Sequence, residues 1–312
     1  MRASQLHVVT AYSNPMRWKS RPRLFKRFQE HMLDSGVQLH VAELAHGNRP
    51  WEISEGPEHS RFVDYRQLRC KTLLWHKENM LNIVIRQNVP KSARGIAWLD
   101  GDILFEKPDW ALETLHALEQ HPVIQPWSDA IDLGPCGEVV KHHKSFASQW
   151  MSGEPMGNVM GGKYTFAHPG YGWAATPEFL ITTGGLIERA ILGAADHHMA
   201  LAIIGQGDKS IKQGVTSAYR NMVMDWQELA LEAANTNLGF VQNSTIKHQF
   251  HGHKENRFYV DRWQIILRDH FDPTRDLTKN LDGILELRGN KPRLTRDILR
   301  YFWSRREDDS VL

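Results

Sequence analysis

Residues 95–105 read GIAWLDGDILF, an apolar run that is interrupted by two aspartates and then resumes. The first five residues are typical of a buried strand, and in open α/β sheets ligands bind outside the carboxyl ends of the strands. Two carboxylates at such an end, Asp100 and Asp102, repel each other unless a cation lies between them. Mg²⁺ and Mn²⁺ prefer oxygen ligands and can bridge carboxylates to phosphates. The segment therefore predicts a metal site, with an ordinary polar turn as the alternative.

Strand and helix patterns alternate along the chain around this segment. Apolar or alternating runs predict further strands at residues 6–10, 37–45, 123–127, 171–176 and 239–251. Helical periodicity predicts helices at residues 21–35, 70–87, 110–120, 177–204, 257–270 and 293–304. Repeated strand–helix–strand units indicate a mostly parallel sheet flanked by helices. Residues 134–170 lack periodicity and are predicted to form a long loop near the site.

Length and composition suit one large α/β domain. The chain has 312 residues, of which 41% are hydrophobic and 24% charged, with a net charge of +2. With no convincing linker, we expect a catalytic domain at residues 1–275 and a helical extension at 276–312. The small net charge excludes a protein-wide positive field. Local basic runs at 17–27 and 288–306 are either solvated helix faces or a surface for a polyanion.

Cysteine content and hydropathy bear on the compartment. Cys70 and Cys136 are too few and too far apart for a disulfide framework or a zinc knuckle. The N-terminal residues read as a strand, and no stretch approaches 18 apolar residues. We therefore expect a cytoplasmic protein of a bacterium or a phage-infected host, without a signal peptide or a membrane anchor.

A histidine cluster lies late in the chain, at residues 247–259. Neutral imidazole is a good third ligand for a divalent ion. If the strand at 239–251 continues, His251 and His253 point to one face and His248 to the other. Lone surface or core histidines are the alternative interpretation.

Two further segments carry candidate chemistry. Trp173, within the GYGWA sequence at 170–174, offers a flat apolar face on which a sugar or base could lie. Asp196 follows small residues at the start of an apolar helix and is either an N-cap or a general base. Lys77 falls inside the apolar arc of the predicted helix at 70–87, where it either extends to solvent or faces a phosphate or an acid.

The ordered set of motifs resembles the metal-dependent GT-A fold glycosyltransferases that carry an Asp-x-Asp signature. In chain order these motifs are WHKE at 75–78, WLDGD at 98–102, GWA at 172–174, GAADH at 193–197 and HGHKENR at 251–257. The similarity covers most of residues 5–275 and is strongest to a subgroup in which many members are phage-encoded. Asp196 is followed by two histidines, where related galactosyltransferases have a run of acids.

The resemblance implies a role for each matching position, with the nucleotide half at 5–105 and the acceptor half at 106–275. It implies a GT-A-like sandwich, a Mn²⁺ or Mg²⁺ ion and a nucleotide-sugar donor, for which a UDP-sugar is expected. The implied metal ligands are Asp100, Asp102 and His251. The implied catalytic base is Asp196, which would make the transfer inverting; without it a retaining route stays open. The implied donor contacts are Thr10, Tyr12, Glu43, Lys77, Asn82, Asp100, Lys254 and Arg257. The implied acceptor contacts are Gly172, Trp173 and His197.

The acceptor and two other classes of function stay open at this point. The resemblance and the basic runs suggest DNA with hydroxymethylated pyrimidines, whereas a cell-surface glycan or a small molecule fits the Asp-x-Asp equally well. A metal-dependent nucleotidyltransferase also needs paired acids, but residues 10–15 contain no glycine for a phosphate loop. A non-catalytic nucleic-acid-binding protein would need neither the acids nor the histidines.

Overall fold

The structure is a computed structural model that describes residues 1–154 and 167–308. Its strands are β1 Leu6–Ser13, β2 Gln38–His46, β3 Asp64–Cys70, β4 Gly95–Leu99, β5 Ile103–Phe105, β6 Val123–Gln125, β7 Asp129–Leu133, β8 Val139–Lys144, β9 Gly172–Ala175, β10 Leu238–Phe240, β11 Thr245–His248, β12 Leu277–Lys279 and β13 Leu285–Leu287. Its α-helices are α1 Ser20–Asp34, α2 Lys77–Gln87, α3 Trp110–Leu118, α4 Phe146–Met151, α5 Pro177–Thr182, α6 Ala195–Ile203, α7 Ser217–Ala234, α8 Trp263–Arg268 and α9 Pro292–Ser304.

A seven-stranded central sheet has the order β10-β6-β9-β4-β1-β2-β3. Neighbouring strands are parallel except where β9 pairs with β4 and β6, so the predicted mostly parallel sheet is confirmed. The chain first proceeds from β1 outward to β3 and then returns to place β4 on the other side of β1. Such a reversal leaves a crevice at the carboxyl ends of β1 and β4, where α/β proteins bind ligands.

Helices cover both faces of this sheet. On one face α1 and α3 bury apolar side chains such as Phe28 and Trp110, and on the other α2 and α6 bury Met80 and Leu201. The predicted α/β architecture, a parallel sheet between helical layers, is therefore confirmed. Among the helices of the described residues, none combines the length and apolar character needed to cross a bilayer.

A second sheet, with the order β5-β11-β7-β8, begins immediately after the acidic turn. Antiparallel pairing of β11 with β5 places His248 opposite Ile103, the residue that follows Asp102. Parallel pairing of β11 with β7 places His248 opposite Asp132 as well. This register, more than any local pattern, assembles the site.

The structure corrects several sequence-based boundaries. The helix predicted at 70–87 begins only at Lys77, because Cys70 ends a strand that pairs in parallel with β2. The strand predicted at 239–251 is two strands in different sheets, β10 and β11. The loop predicted at 134–170 contains β8 and α4, and its residues 155–166 lie outside the described part of the chain. The long helix α7 was not predicted, although Thr216 caps its N-terminus by accepting from the amide of Tyr219.

Residues 276–308 form the β12–β13 hairpin, α9 and a short tail. Their apolar side chains join Leu74, Tyr219 and Ile266 in one buried cluster. The tail beyond α9 contacts the N-terminus of α1. This contact places the tail on the side of the molecule that carries the acidic turn.

Candidate metal and donor site

The acidic turn at 100–102 joins the two sheets. The amide of Asp100 donates to the carbonyl of Tyr171 at 2.8 Å, and the amide of Gln249 donates to the carbonyl of Asp102 at 2.9 Å. A Cβ on Gly101 would lie 2.9 Å from the ring of Phe25. Gly101 therefore allows the acidic turn to pack closely on α1.

Asp102, His248 and His251 form a compact group that could hold a metal ion. The Nε2 atom of His251 lies 3.1 Å from Oδ2 of Asp102, and Nε2 of His248 lies 3.8 Å from Oδ1 of Asp102. The two Nε2 atoms are 3.2 Å apart. Asp102 and His251, both predicted as ligands, lie in this group, and His248 joins them.

The proton positions on the two rings follow from their partners. Nδ1 of His248 lies 3.0 Å from Oδ1 of Asp132, a carboxylate that can only accept, so this nitrogen carries the proton. The Arg257 guanidinium, which can only donate, contacts Nε2 of His251 at 2.8 Å, which assigns the lone pair to that atom. Both Nε2 atoms are therefore unprotonated and lie near Asp102, and the one on His251 accepts from Arg257.

A cation fits this set. Two lone pairs and a carboxylate repel one another at such distances unless positive charge lies among them, and Arg257 supplies part of it. Among the described residues, the buried Oδ1 of Asp102 has no hydrogen-bond partner. One carboxylate and two neutral imidazoles are ligands that Mn²⁺ accepts.

Asp100 does not join the metal group, because it is paired with Lys77. Nζ of Lys77 lies 2.6 Å from Oδ1 of Asp100 and 3.4 Å from Oδ2 of Asp196. Burial alone would lower the pKa of Lys77, but Asp100, Asp196 and Glu78 raise it well above its usual value. The lysine is thus a fixed cation between two acids and does not extend to solvent.

Asp196 lies in the first turn of α6, but the N-cap residue of that helix is Ala194. Its side chain faces Lys77 and lies close to Gly170, where a Cβ would be 3.7 Å from the carboxylate. Burial raises the pKa of Asp196, while Lys77 opposes that shift. A carboxylate with a raised pKa at the edge of a cleft can accept a proton.

An open cavity of about 270 Å³ lies at the carboxyl ends of β1 and β2. Tyr12 and Glu43, both predicted donor contacts, line it together with Arg17, Arg49 and Glu52. The Tyr12 hydroxyl donates to Glu52 at 2.5 Å. Glu43 accepts from the amides of residues 52–54, so it shapes one wall of the cavity.

Four other predicted contacts lie inside the protein. The Thr10 hydroxyl donates to the Leu99 carbonyl at 2.8 Å. Asn82 makes paired hydrogen bonds with the backbone of Leu186, at 2.8 and 2.9 Å. Trp173 is 2% exposed and donates to the Pro169 carbonyl, and Gly172 packs on Leu99. These side chains hold strands and loops in place, so the predicted Trp173 platform and Gly172 contact are not at the cleft surface.

The remaining predicted contacts surround the metal group or α6. Lys254 pairs with Asp132 and donates to the Tyr171 hydroxyl at 3.1 Å. His197 follows Asp196, and burial, with a smaller effect of Arg262, lowers its pKa to about 4. His197 is therefore neutral near pH 7.

Several cations of the two basic runs are paired with acids. Salt bridges within them include Arg21–Glu307 at 2.7 Å, Lys26–Glu58 at 3.2 Å, Lys291–Asp276 at 2.6 Å, Arg293–Asp269 at 2.7 Å and Arg305–Glu307 at 2.8 Å. The runs do meet where the tail contacts α1, as a DNA-binding face would require. Part of their charge, however, is already balanced within the protein.

Sequence reasoning missed His248, Asp132 and Glu307. His248 was expected to face away from His251, but β11 ends at His248 and the chain then turns, so strand alternation does not extend to His251. Asp132 and Glu307 are distant in sequence from the histidines they face. An isolated acid between a predicted strand and a predicted loop, and an acid next to a basic run, carry no local signal of this kind.

No protein-family model and no curated protein sequence matches the chain. Among solved structures, TarS of S. aureus in complex with UDP-GlcNAc is similar, with 9% identity, a TM-score of 0.43 and coverage of 81% of this chain. The chain spans 60% of the length of that TarS structure. A Drosophila β1,4-galactosyltransferase 7 complex with manganese, UDP-Gal and xylobiose is similar at 11% identity, a TM-score of 0.42 and coverage of 94% and 98% of the two chains. The 4-diphosphocytidyl-2C-methyl-D-erythritol synthase of Anaerococcus prevotii is similar at 7% identity, a TM-score of 0.37 and coverage of 84% and 96%. TM-scores this low assign no activity.

Proposed function

We propose that the protein is a metal-dependent glycosyltransferase of the GT-A type that uses a nucleotide-sugar donor. The observation that carries the proposal is the arrangement of three groups at the carboxyl edge of the central sheet. A polar cavity lies at the ends of β1 and β2, the acidic turn follows β4, and the histidines of the metal group meet that turn. Two of the ordered motifs, WLDGD at 98–102 and HGHKENR at 251–257, fall on the acidic turn and the metal group.

The cavity would hold the nucleoside. Its volume of about 270 Å³ suits one nucleoside rather than a whole nucleotide sugar. The diphosphate would then extend toward Asp102, His248 and His251. A divalent cation held by these residues would neutralise charge on the leaving nucleoside diphosphate. Arg257 and Lys254, which already surround the histidines, add positive charge on the same side.

Asp196 would act as the base that takes the proton from the acceptor hydroxyl. Lys77 holds the Asp196 carboxylate and the Asp100 carboxylate in fixed positions, and Asp100 would contact the sugar or ribose of the donor. With a base on the face opposite the leaving group, the transfer would invert the anomeric centre. His197 and the residues near Gly170 would lie beside the acceptor.

The identity of the acceptor is a more specific proposal than glycosyl transfer itself. DNA with hydroxymethylated pyrimidines stays the sequence-based hypothesis, but the internal pairing of Arg21, Lys291 and Arg293 weakens its charge argument. Small alcohols and glycans require no such surface. The hexosyl or pentosyl character of the transfer depends on the donor sugar.

A donor screen tests the proposal. The protein is incubated with a panel of UDP-, GDP-, CDP- and dTDP-sugars, with Mn²⁺ or with a chelator, and released nucleoside diphosphate is measured. We expect Mn²⁺-dependent release with one donor class and none from Asp102→Ala. The acceptor arms contain hydroxymethylated DNA, plain DNA and a glycan mixture, each followed by mass spectrometry. Release of pyrophosphate from a nucleoside triphosphate and a sugar phosphate, without any sugar transfer, would instead make the protein a nucleotidyltransferase.

A further inference from the structure

The carboxylate of Glu307, three residues beyond the end of α9, is buried beside the metal group. It accepts from Arg21 at 2.7 and 2.9 Å and from Arg305 at 2.8 Å. Its Oε2 atom lies 3.3 Å from Nδ1 of His251, and the Glu307 side chain is only 2% exposed. Two guanidinium groups, those of Arg21 and Arg305, therefore place positive charge beside this buried carboxylate.

The backbone of the tail is also fixed at this place. A Cβ on Gly252 would lie 2.9 Å from Cα of Glu307, so the turn after His251 and the tail are in direct contact. The next residue, Asp308, accepts from the amides of Lys19 and Ser20 at 2.6 and 3.0 Å and so caps α1. The carboxylate of Glu307 therefore cannot shift without moving either α1 or the His251 turn.

We propose that Glu307 is a positioning residue of the metal centre that acts through His251. This inference rests on the proposed metal site. The carboxylate, which can only accept, favours the proton of His251 on Nδ1 and limits rotation of the ring, so that the unprotonated Nε2 atom stays beside Asp102 and His248. A carboxylate behind a ligand histidine both orients the ring and raises its basicity.

The other histidine also has an acid behind its Nδ1 atom, which distinguishes this role from a simple ion pair. Asp132 accepts from Nδ1 of His248 at 3.0 Å, whereas Glu307 lies 3.3 Å from Nδ1 of His251, outside hydrogen-bond geometry. Pairing with two arginines would already explain the burial of Glu307, but not its place on the far side of the ring from Asp102. Each ligand ring is thus held by one buried acid, and one of the two acids comes from the C-terminal tail.

Manganese binding to the full chain, measured by titration of Mn²⁺ with detection of free ion by electron paramagnetic resonance, tests the inference. Glu307→Gln keeps the shape and an acceptor for the arginines but removes the charge, and we expect it to weaken Mn²⁺ binding about 10- to 100-fold. Asp308→Asn is the matched control, because it alters the same tail without facing a histidine. We expect its Mn²⁺ affinity to stay within about twofold of wild type, since the single amide oxygen of Asn can still accept from one of the two α1 amides and the lost bond does not involve a histidine.

A double-mutant cycle separates positioning from stability. Glu307→Gln leaves two arginines beside a neutral group, so its melting temperature is expected to fall whether or not His251 is present. In a His251→Ala background, however, Glu307→Gln should weaken the remaining Mn²⁺ binding no further. Equal losses in both backgrounds, or an affinity within about twofold of wild type for Glu307→Gln alone, would overturn the positioning role. Wild-type protein that binds no Mn²⁺ would instead remove the metal site on which the inference rests.

Discussion

The Nζ atom of Lys77 lies 3.4 Å from Oδ2 of Asp196, a residue 119 positions later in the chain. The same ammonium lies 2.6 Å from Asp100. The first turn of α2 therefore connects the acidic turn after β4 to the first turn of α6. A lysine that contacts two acids holds their carboxylates a fixed distance apart, which the proposed donor contact and the proposed base both require.

Replacing Lys77 by Met should move the acid limb of the rate–pH profile to higher pH. Burial raises the pKa of Asp196 and Lys77 opposes that rise, so removal of the lysine raises the pKa further. A base acts only when deprotonated, and the fall in kcat on acidification should therefore begin at a higher pH than in wild type. The measurement is kcat against pH with the donor found in the screen. Lys91→Met, at an exposed lysine, is the control and should leave the profile unchanged.

Asp196→Asn should lower kcat by about 10²- to 10⁴-fold, the range typical of general base catalysis. The amide has nearly the same shape as the carboxylate, so donor affinity should change less than about twofold. Asp208→Asn, at an exposed aspartate on the turn that follows α6, serves as the control. A near-normal kcat for Asp196→Asn would leave the residue a structural partner of Lys77 alone.

Asp102→Ala and Asp100→Asn should separate metal binding from donor binding. Asp102 faces both histidines, so its loss should abolish measurable Mn²⁺ binding while the melting temperature of the apoprotein stays close to wild type. Asp100 faces Lys77 instead, so Asp100→Asn should retain Mn²⁺ affinity within about threefold and should mainly weaken binding of the donor sugar. Loss of Mn²⁺ binding in Asp100→Asn would return Asp100 to the ligand set that the sequence predicted.

Glu52→Ala tests the nucleoside cavity. Glu52 lines the cavity and presents a carboxylate that can accept from a ribose or base, and hydrogen bonds to charged groups are worth about 1.5–3 kcal/mol. We expect the Kd for the nucleoside diphosphate, measured by calorimetry, to rise about tenfold or more. Glu55→Ala, which removes a neighbouring carboxylate that does not line the cavity, should leave this Kd unchanged.

Thr10→Val addresses the donor contact that the sequence assigned to Thr10. The Thr10 hydroxyl is buried and donates to Leu99, so its loss should lower the free energy of unfolding by about 1 kcal/mol. Nucleoside diphosphate affinity should not change. A marked loss of affinity with unchanged stability would restore Thr10 to the donor site.

Much of the fold could be predicted from the sequence because its signals are local. The apolar runs of β1, β2 and β4 and the periodicity of α1 and α9 each lie within one segment of chain. Alternation of such segments indicates a parallel sheet between helices. The same reasoning could have predicted the helix α7, because Thr216 is a capping residue followed by Tyr219, Val223 and Trp226 at helical spacing.

The side chains at the site were only partly predictable. Trp173 was expected to present its ring to a ligand, but aromatic character does not indicate which side of a strand faces solvent. His248 was expected to point away from His251 because strand alternation was extended past the end of β11. In both cases the error came from applying a local rule where the packing of two sheets determines the direction of the side chain.

The sequence by itself predicted that a buried strand ends in Asp100 and Asp102, and that histidines near 248–253 are candidate ligands for the same ion. Only the tertiary structure decided which groups each acid contacts. Lys77 pairs with Asp100, whereas the register of β5 with β11 places Asp102 next to His248 and His251. It also brought Asp132 and Glu307 behind the two rings. The physical reason is that propensity and periodicity act over a few residues, whereas ion pairing and strand register depend on which distant segments the folded core brings together.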